Sequence, residues 1–269
     1  MKHSPNLLLA LGLGFALTQS ANASILLSDS FNYTTPGSLG GNVNPTTGYT
    51  WTGGNNLTIA SGNLTYAGLQ DLGGNELSIV NGSAGSGINV FANTTSGSIY
   101  YSFLLDTLAT PTGNSYLTAL NPGTGAPNGS SDAIDMYIYS NTTGYRLGLR
   151  AAPDSAVTTS STSPLSVNTT YLVVLEYDFG VGTAELYLNP TPGDVAPTPT
   201  LTLTGTTASA IDDVGFKSQS ATGASYLIDN VLIGTQWSDV TPSAVPEPAA
   251  MALLGLGALG LAFAKRMRR

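Results

Sequence analysis

The sequence predicts an all-β fold, a single jelly-roll β-sandwich, and two observations carry this prediction. About a dozen short apolar runs, such as "SIYYSFLL" and "TYLVVLEYD", recur between residues 24 and 237, each bounded by Gly, Asn, Pro or Ser. Only 9% of the residues are charged and 32 are glycine, a composition that favours turns and strands over helices. So many short strands suit one large sandwich better than two small domains.

The first 23 residues are typical of a secretory signal peptide, which is removed from an exported protein. Lys2 supplies a basic start, residues 7–17 are apolar, and Ala21 and Ala23 form a small-x-small cleavage site. A retained N-terminal anchor is the alternative, but the apolar run is short for that role. We therefore expect export and a mature chain that begins at Ser24.

The C-terminal end predicts a transmembrane helix over residues 249–264, which carry no charge. As a helix this run rises roughly 24 Å, slightly less than the ~30 Å hydrocarbon core of a bilayer. Basic side chains after it can reach the lipid headgroups and keep the tail in the cytoplasm. These stop-transfer residues are Lys265, Arg266, Arg268 and Arg269. Residues 238–245 are predicted to be a linker, which leaves residues 24–237 for the sandwich.

The sandwich region is acidic and poor in chemistry-bearing side chains. Its basic residues are Arg146, Arg150 and Lys217, too few to neutralise many phosphates, so we expect no nucleic-acid binding. The chain has no cysteine, and its one histidine, His3, lies in the predicted signal peptide. This composition excludes Ser-His-Asp and Cys-His nucleophilic sites and the usual zinc sites.

Three features stand in order at the C-terminus: the triplet Pro246-Glu247-Pro248, the uncharged run and the basic cluster. Together, residues 245–269 resemble the PEP-CTERM sorting signal of exopolysaccharide-producing Gram-negative bacteria. The resemblance implies recognition by an exosortase, a membrane-embedded cysteine transpeptidase, with processing near the triplet. It also implies anchoring in the inner membrane before processing and a final location at the cell surface or in the extracellular matrix. An ordinary helix start with proline in its first turn is the alternative.

The body carries three segments with a recognisable pattern: "LLSDSFNYTTPGSL", "TYLVVLEYDFGVGTAELYLNP" and "SYLIDNVLIGTQWSDVTP". They resemble the concanavalin A-like, laminin-G-like jelly rolls found on PEP-CTERM proteins. The resemblance implies that the first and last strands lie side by side, near Asp29 and Asp229.

Two local segments permit finer predictions. In "NNLTIASGNLTYAG" the repeated Asn-Leu-Thr predicts two strands joined by a turn at Ser61-Gly62. The proline-rich "NPTPGDVAPTPT" predicts a stiff surface loop, because strand-like runs resume after it.

The richest acidic segment is "EYDFGVGTAE", with Glu176, Asp178 and Glu185. Some jelly-roll glycosidases use a Glu-x-Asp-x-x-Glu strand, in which the two glutamates act as nucleophile and acid. The third position of that pattern is Val181 here, so the acid is missing, and the glycines on either side of it predict a turn. We therefore expect ordinary strand carboxylates and no catalytic residues.

The segment "IDMYIYSNTTGYRLGLRA" predicts a hairpin with a candidate carbohydrate-binding face. A four-residue loop, 141–144, would place Ser140 opposite Tyr145 and give one apolar face. The other face would hold Asp135, Tyr137, Tyr139, Arg146 and Arg150, with Asp135 opposite Arg150. Tyrosines can stack on sugar rings while the charged groups bind sugar hydroxyls. The alternative is a solvated face with an exposed ion pair that contributes little to stability.

The sequence thus favours a non-enzymatic surface or matrix protein that associates with exopolysaccharide. A carbohydrate-active enzyme that uses carboxylates alone, or a lectin-like adhesin, is the alternative. No cofactor is predicted. A structural calcium ion is left open, because Asp- and Asn-rich loops offer the oxygen ligands that calcium takes, but no ligand can be assigned.

Overall fold

The structure is a computed structural model that describes residues 24–54, 56–80, 85–123, 132–153, 156–159, 164–218 and 223–244. The predicted signal peptide with Ala21 and Ala23, the triplet Pro246-Glu247-Pro248, the predicted membrane helix 249–264 and the four basic residues after it all lie outside these ranges.

Strands dominate the described residues, which hold sixteen of them and one short helix. In chain order the strands are β1 Ile25–Asp29, β2 Gly37–Ser38, β3 Thr52–Gly53, β4 Leu57–Ala60, β5 Glu76–Val80, β6 Gly85–Thr94, β7 Ser98–Ala109, β8 Asn114–Asn121, β9 Ile134–Asn141, β10 Gly144–Arg150, β11 Thr158–Thr159, β12 Thr170–Asp178, β13 Thr183–Leu188, β14 Leu201–Thr204, β15 Ile211–Ser218 and β16 Ser225–Gly234. The helix is α1, Trp237–Val240.

The strands form two antiparallel sheets. The first sheet has the order β14-β13-β12-β7-β16-β5-β4-β2, and β1 also pairs with β16. The second sheet has the order β11-β10-β9-β8-β15-β6-β3. The predicted all-β sandwich is therefore confirmed.

Alternation along the strands places the core between the sheets. On β9, Met136 and Ile138 are fully buried in the main hydrophobic cluster, whereas Tyr137 points to the opposite side of the strand. On β12 the same cluster receives Val173 and Leu175. Each sheet thus keeps one face against the core and has a second, outer face, where the side chains considered below lie.

The first and last strands of the sandwich are neighbours, as the resemblance implied. Asp29 in β1 pairs with Val231 in β16, two residues after Asp229. Asp29 is 2% exposed and holds the end of the first strand in place. Its carboxylate accepts hydrogen bonds from the Trp51 indole at 2.8 Å and from the Tyr33 hydroxyl at 2.7 Å.

The predicted hairpin register is confirmed. Tyr145 pairs with Ser140 and Arg150 with Asp135, so the whole ladder between β9 and β10 has the expected alignment. Pairing extends one step further than the predicted loop, because Gly144 also pairs with Asn141. The predicted turn between β12 and β13 is present too, and residues 189–200 form the predicted loop without strands.

The predicted hairpin around Ser61-Gly62 is wrong. Only its first half is a strand, β4, which pairs with β5 and β2. The second half instead covers the outer face of the first sheet, where Leu64 packs with Leu104 and Leu172. The Leu64 N–H donates to the buried Asp229 carboxylate at 2.9 Å, which replaces a strand partner.

The segment predicted as a linker from Ser238 is attached to the body as far as Ala244. Its first residues belong to α1, and Val240 is fully buried on the outer face of the first sheet. The Ala244 N–H donates to the Gly68 carbonyl at 2.8 Å. Among the described residues, no helix is long and apolar enough to cross a membrane.

Candidate functional site

A cluster of tyrosines and cations lies on the outer face of the second sheet. We call it the tyrosine face; its residues are Tyr116 on β8, Tyr137 and Tyr139 on β9, Arg146 and Arg150 on β10, and Lys217 on β15. All three basic residues of the body are among them. Adjacent strand pairing and the period of two bring these side chains to one side of the sheet.

Aromatic stacking and cation–π contacts organise the centre of the tyrosine face. The rings of Tyr116 and Tyr137 stack with centroids 5.0 Å apart. The Arg150 guanidinium carbon lies 5.2 Å from the Tyr137 centroid, and the Lys217 ammonium 5.1 Å from the Tyr116 centroid. Arg150 and Lys217 are therefore each held over a ring.

A buried carboxylate network fixes Arg150 and Tyr116. Asp135 is fully buried and accepts hydrogen bonds from Arg150 Nε at 2.8 Å and from Arg150 Nη2. The Tyr116 hydroxyl lies 2.7 Å from both Asp135 and Asp132. Burial, reinforced by Asp132, raises the pKa of Asp135 to about 8, although Tyr116 and Arg150 lower it. The predicted Asp135–Arg150 pair is thus a buried structural contact and not an exposed one.

Only part of the tyrosine face is accessible to a ligand. Tyr137 is 8% exposed and Tyr116 1% exposed, so neither ring offers an open stacking surface. Tyr139 and Arg146 are half-buried and lie opposite each other on β9 and β10. Arg150 and Lys217 are half-buried too, but each is held over a ring. The Arg146 Nε atom is itself buried and has no hydrogen-bond partner among the described residues. The accessible ring of the face is therefore Tyr139, and Arg146 is its neighbour across the hairpin.

Gly148 explains how the Tyr139 ring is placed. A Cβ atom at position 148 would lie 2.9 Å from a Tyr139 ring carbon and 2.9 Å from Val157. Because glycine has no Cβ, the ring can lie over the backbone of β10, which leaves its other side for contacts away from the sheet.

Two buried oxygens beside this face bear on the calcium expectation. Asn121 donates its amide to Asp213 at 2.6 Å, but Asn121 Oδ1 and Asp213 Oδ2 have no hydrogen-bond partner among the described residues. Burial raises the pKa of Asp213 to about 8, although Asn121 lowers it. Calcium takes six to eight oxygen ligands, and no group of three or more His, Cys, Asp or Glu in the described ranges is placed to hold a metal.

The acidic segment of the first sheet forms a separate cluster on that sheet's outer face. Glu176 and Glu185 are directly opposite each other, and the Tyr187 hydroxyl lies 2.9 Å from the first carboxylate and 2.5 Å from the second. The Trp237 ring packs edge-on against Tyr187 at 4.9 Å. Asp178 instead closes the predicted turn by accepting backbone N–H groups, including that of Gly180 at 2.6 Å.

Sequence reasoning missed Tyr116, Lys217 and the buried Asp132. They come from β8, β15 and the approach to β9, and the sequence carries no signal for which strands become neighbours across such separations. One hint was available for Lys217: it is the only lysine between the two ends of the chain.

Comparison with known proteins identifies the C-terminal end. Residues 244–269 match the PEP-CTERM protein-sorting motif. This motif marks an exported protein with a membrane-anchored sorting tail. No curated protein sequence matches the chain.

Solved structures resemble the body in fold alone. A carbohydrate esterase from Shiga toxin-encoding bacteriophage phi24B is 14% identical with a TM-score of 0.53, covering 79% of this chain and 98% of that one. The globular domain of T. cruzi calreticulin is 12% identical with a TM-score of 0.51, covering 91% and 100%. A sialidase is 13% identical with a TM-score of 0.48, but the chain spans only 19% of its length. The chain therefore combines a jelly-roll β-sandwich body, similar in fold to these proteins, with a C-terminal PEP-CTERM sorting motif.

Proposed function

We propose that this exported protein reaches the cell surface or extracellular matrix and binds exopolysaccharide there without cleaving it. The observation that carries the proposal is the tyrosine face. In a chain with a net charge of -8, all three basic residues of the body lie beside three tyrosines on one side of one sheet. A lectin-like adhesin would differ from this proposal only in its ligand.

Tyr139 and Arg146 supply the contacts in this proposal. An aromatic ring stacks on the apolar side of a sugar ring, and a guanidinium donates several hydrogen bonds in a fixed fork to hydroxyl or carboxylate oxygens. Arg146 is suited to this role because, among the described residues, it forms no ion pair with a carboxylate, whereas Arg150 is held by Asp135. Arg150 holds the neighbouring Tyr137 in position through the cation–π contact.

A glycan array with purified residues 24–244 tests the proposal. We expect binding to polysaccharide fragments and its loss in the variant Tyr139→Ala/Arg146→Gln. Tyr137→Ala is unsuitable as a probe, because removing a ring that is 8% exposed also destabilises the sheet. The control is Thr58→Ala, an exposed position on β4 of the other sheet. Equal binding by the double variant and the control would refute the assignment of the face.

One observation favours a second candidate, a glycoside-cleaving enzyme. Glu176 and Glu185 share the Tyr187 hydroxyl and have Trp237 nearby, and retaining glycosidases use two carboxylates roughly 5 Å apart. Release of reducing ends from polysaccharide by the purified body, abolished by Glu185→Gln, would support this candidate. We expect no release, because the Glu-x-Asp-x-x-Glu pattern of jelly-roll glycosidases is incomplete here: Val181 stands where the pattern has its acid.

We further propose that an exosortase processes the tail near Pro246-Glu247-Pro248. Because prolines are excluded from a helix interior, the sequence predicts that the triplet, which lies outside the described residues, is extended ahead of the predicted helix. Glu247→Ala should leave the full-length protein in the membrane fraction, as measured by immunoblotting. Unchanged processing and release of this variant would contradict the role of the triplet.

A further inference from the structure

The last described residues are fixed to the outer face of the first sheet. We call Thr241–Ala244 the C-terminal strap. The Thr241 carbonyl accepts a hydrogen bond from the Gly193 N–H at 2.8 Å, and the Pro242 carbonyl accepts one from the Gln70 N–H at 2.9 Å. Ser243 forms a β-bridge with Leu69, next to the bond between Ala244 and Gly68. Both flanks of the strap are therefore paired.

Packing holds the strap as firmly as these hydrogen bonds do. Thr241 and the preceding Val240 are fully buried, and the Ser102 hydroxyl donates to the Val240 carbonyl at 2.6 Å. Gly193 has a φ of +82°, and a Cβ there would lie 2.8 Å from the Ser243 Cβ. This close approach leaves no space between residue 193 and the strap, so the chain is fixed to the body as far as Ala244.

Very little chain separates the strap from the membrane. The sorting motif begins at residue 244, and its uncharged run begins at Ala249. Five residues span at most about 18 Å even when fully extended. The headgroup layer on each side of a bilayer takes up roughly 5 to 8 Å of this length. With the predicted membrane helix beginning at Ala249, the strap therefore lies within about 13 Å of the lipid surface while the tail is anchored.

We propose that the end of the sandwich around the strap rests against the lipid headgroups until the tail is processed. This membrane-facing surface comprises the strap, residues 68–70 and residues 191–195. Val195 on it is 87% exposed. An apolar cavity of about 320 Å³, lined by residues that include Ile25, Leu72 and Pro242, opens beside the strap. The contact does not rely on attraction to anionic lipids, because the three basic residues of the body lie on the other sheet.

The orientation has a consequence for the tyrosine face. The strap lies over the outer face of the first sheet, where Val240 packs with Leu104 and Leu172. The tyrosine face is the outer face of the second sheet, on the other side of the sandwich, so contact at the strap leaves it uncovered. The inference rests on the sorting tail and the strap, and it holds whether or not the body binds polysaccharide.

Single labels at two exposed valines test the orientation, and the absence of native cysteine makes each label unique. Val195→Cys reports on the membrane-facing surface. Val181→Cys is the matched control: it is 71% exposed and lies at the opposite end of β13, in the turn from β12. The full chain with its sorting tail is reconstituted in phosphatidylcholine vesicles that carry a headgroup spin label, and quenching of a thiol-attached fluorophore is measured.

We expect at least twofold stronger quenching at position 195 than at position 181, with little dependence on salt. Equal quenching at both positions, or stronger quenching at 181, would overturn the orientation. A flexible Gly/Ser insertion of ten residues after Ala244 spans roughly 18 Å. It should lower the quenching at position 195 to the level seen at position 181. Unchanged quenching after the insertion would contradict the chain-length argument.

Discussion

Buried carboxyl groups should make this protein more stable in weak acid than in weak base, and Asp213 provides the sharpest test. The side chain is fully buried, and its pKa is raised from 3.8 to about 8, chiefly by burial. A carboxyl whose pKa is higher in the folded state binds more protons there than in the unfolded chain. Its contribution to stability is therefore fully present below about pH 4 and is lost as the pH rises to about 8.

The magnitude follows from the size of the shift. Each pKa unit corresponds to about 1.4 kcal/mol, which sets an upper limit of roughly 6 kcal/mol for Asp213. Relaxation and water penetration reduce such values in proteins, so we expect roughly 2 kcal/mol. Asp213→Asn removes the ionisable group and still offers an oxygen to the Asn121 amide. The free energy of unfolding of wild type should therefore fall by roughly 2 kcal/mol more than that of the variant between pH 5 and pH 9.

Urea unfolding of residues 24–244 at pH 5, 6, 7, 8 and 9 measures this difference. Asp135 and Asp229, whose pKa values burial also raises, contribute equally to wild type and variant and cancel in the comparison. Asp194→Asn, at an exposed carboxyl, is the control and should follow wild type. Parallel pH profiles for wild type and Asp213→Asn would refute the reasoning.

Three further predictions concern stability. Asp29→Ala should lower the free energy of unfolding in urea by roughly 3 kcal/mol or more, because it leaves buried donors without an acceptor; the exposed Asp71→Ala should cost under about 1 kcal/mol, and equal losses would contradict this reading. Gly193→Ala should lower the free energy of unfolding by roughly 1 kcal/mol more than Gly205→Ala. Both glycines have positive φ, but only a Cβ at position 193 would contact Ser243. A larger loss of stability for Gly205→Ala would argue against the strap contact. Chelation with EDTA should shift the melting temperature by less than about 2 °C, and a fall of more than about 5 °C would show that a metal ion stabilises the fold.

The local part of the tyrosine face could be predicted from the sequence. The hairpin of β9 and β10 is contiguous, and the alternation of apolar residues fixes its register, because a one-residue slip would expose Met136 and Ile138. The pairing of Asp135 with Arg150 follows directly from that register. The adjacency of the first and last strands was available only through a family resemblance.

The burial of the side chains at the centre of the tyrosine face could not be predicted. Tyr116 and Lys217 reach it through pairing of β8 with β9 and β15, and a single sequence does not indicate such long-range neighbours. Their rings and charges bury Tyr137, which the hairpin alone would expose. The packing of Ser238–Ala244 against the body could not be predicted for a related reason. Short polar segments with proline are typical of linkers, and the residues that bind this one, 68–70 and 193, are distant in sequence.

Retention by purified exopolysaccharide tests the central claim most directly. The mature wild-type protein and the variants Arg146→Gln and Tyr139→Ala are passed over the immobilised polymer, and the bound fraction is measured at equal concentration. We expect wild type to be retained and each variant to lose at least fivefold in apparent affinity, while its unfolding in urea is unchanged. Retention of both variants at the wild-type level, or no retention of wild type, would contradict it.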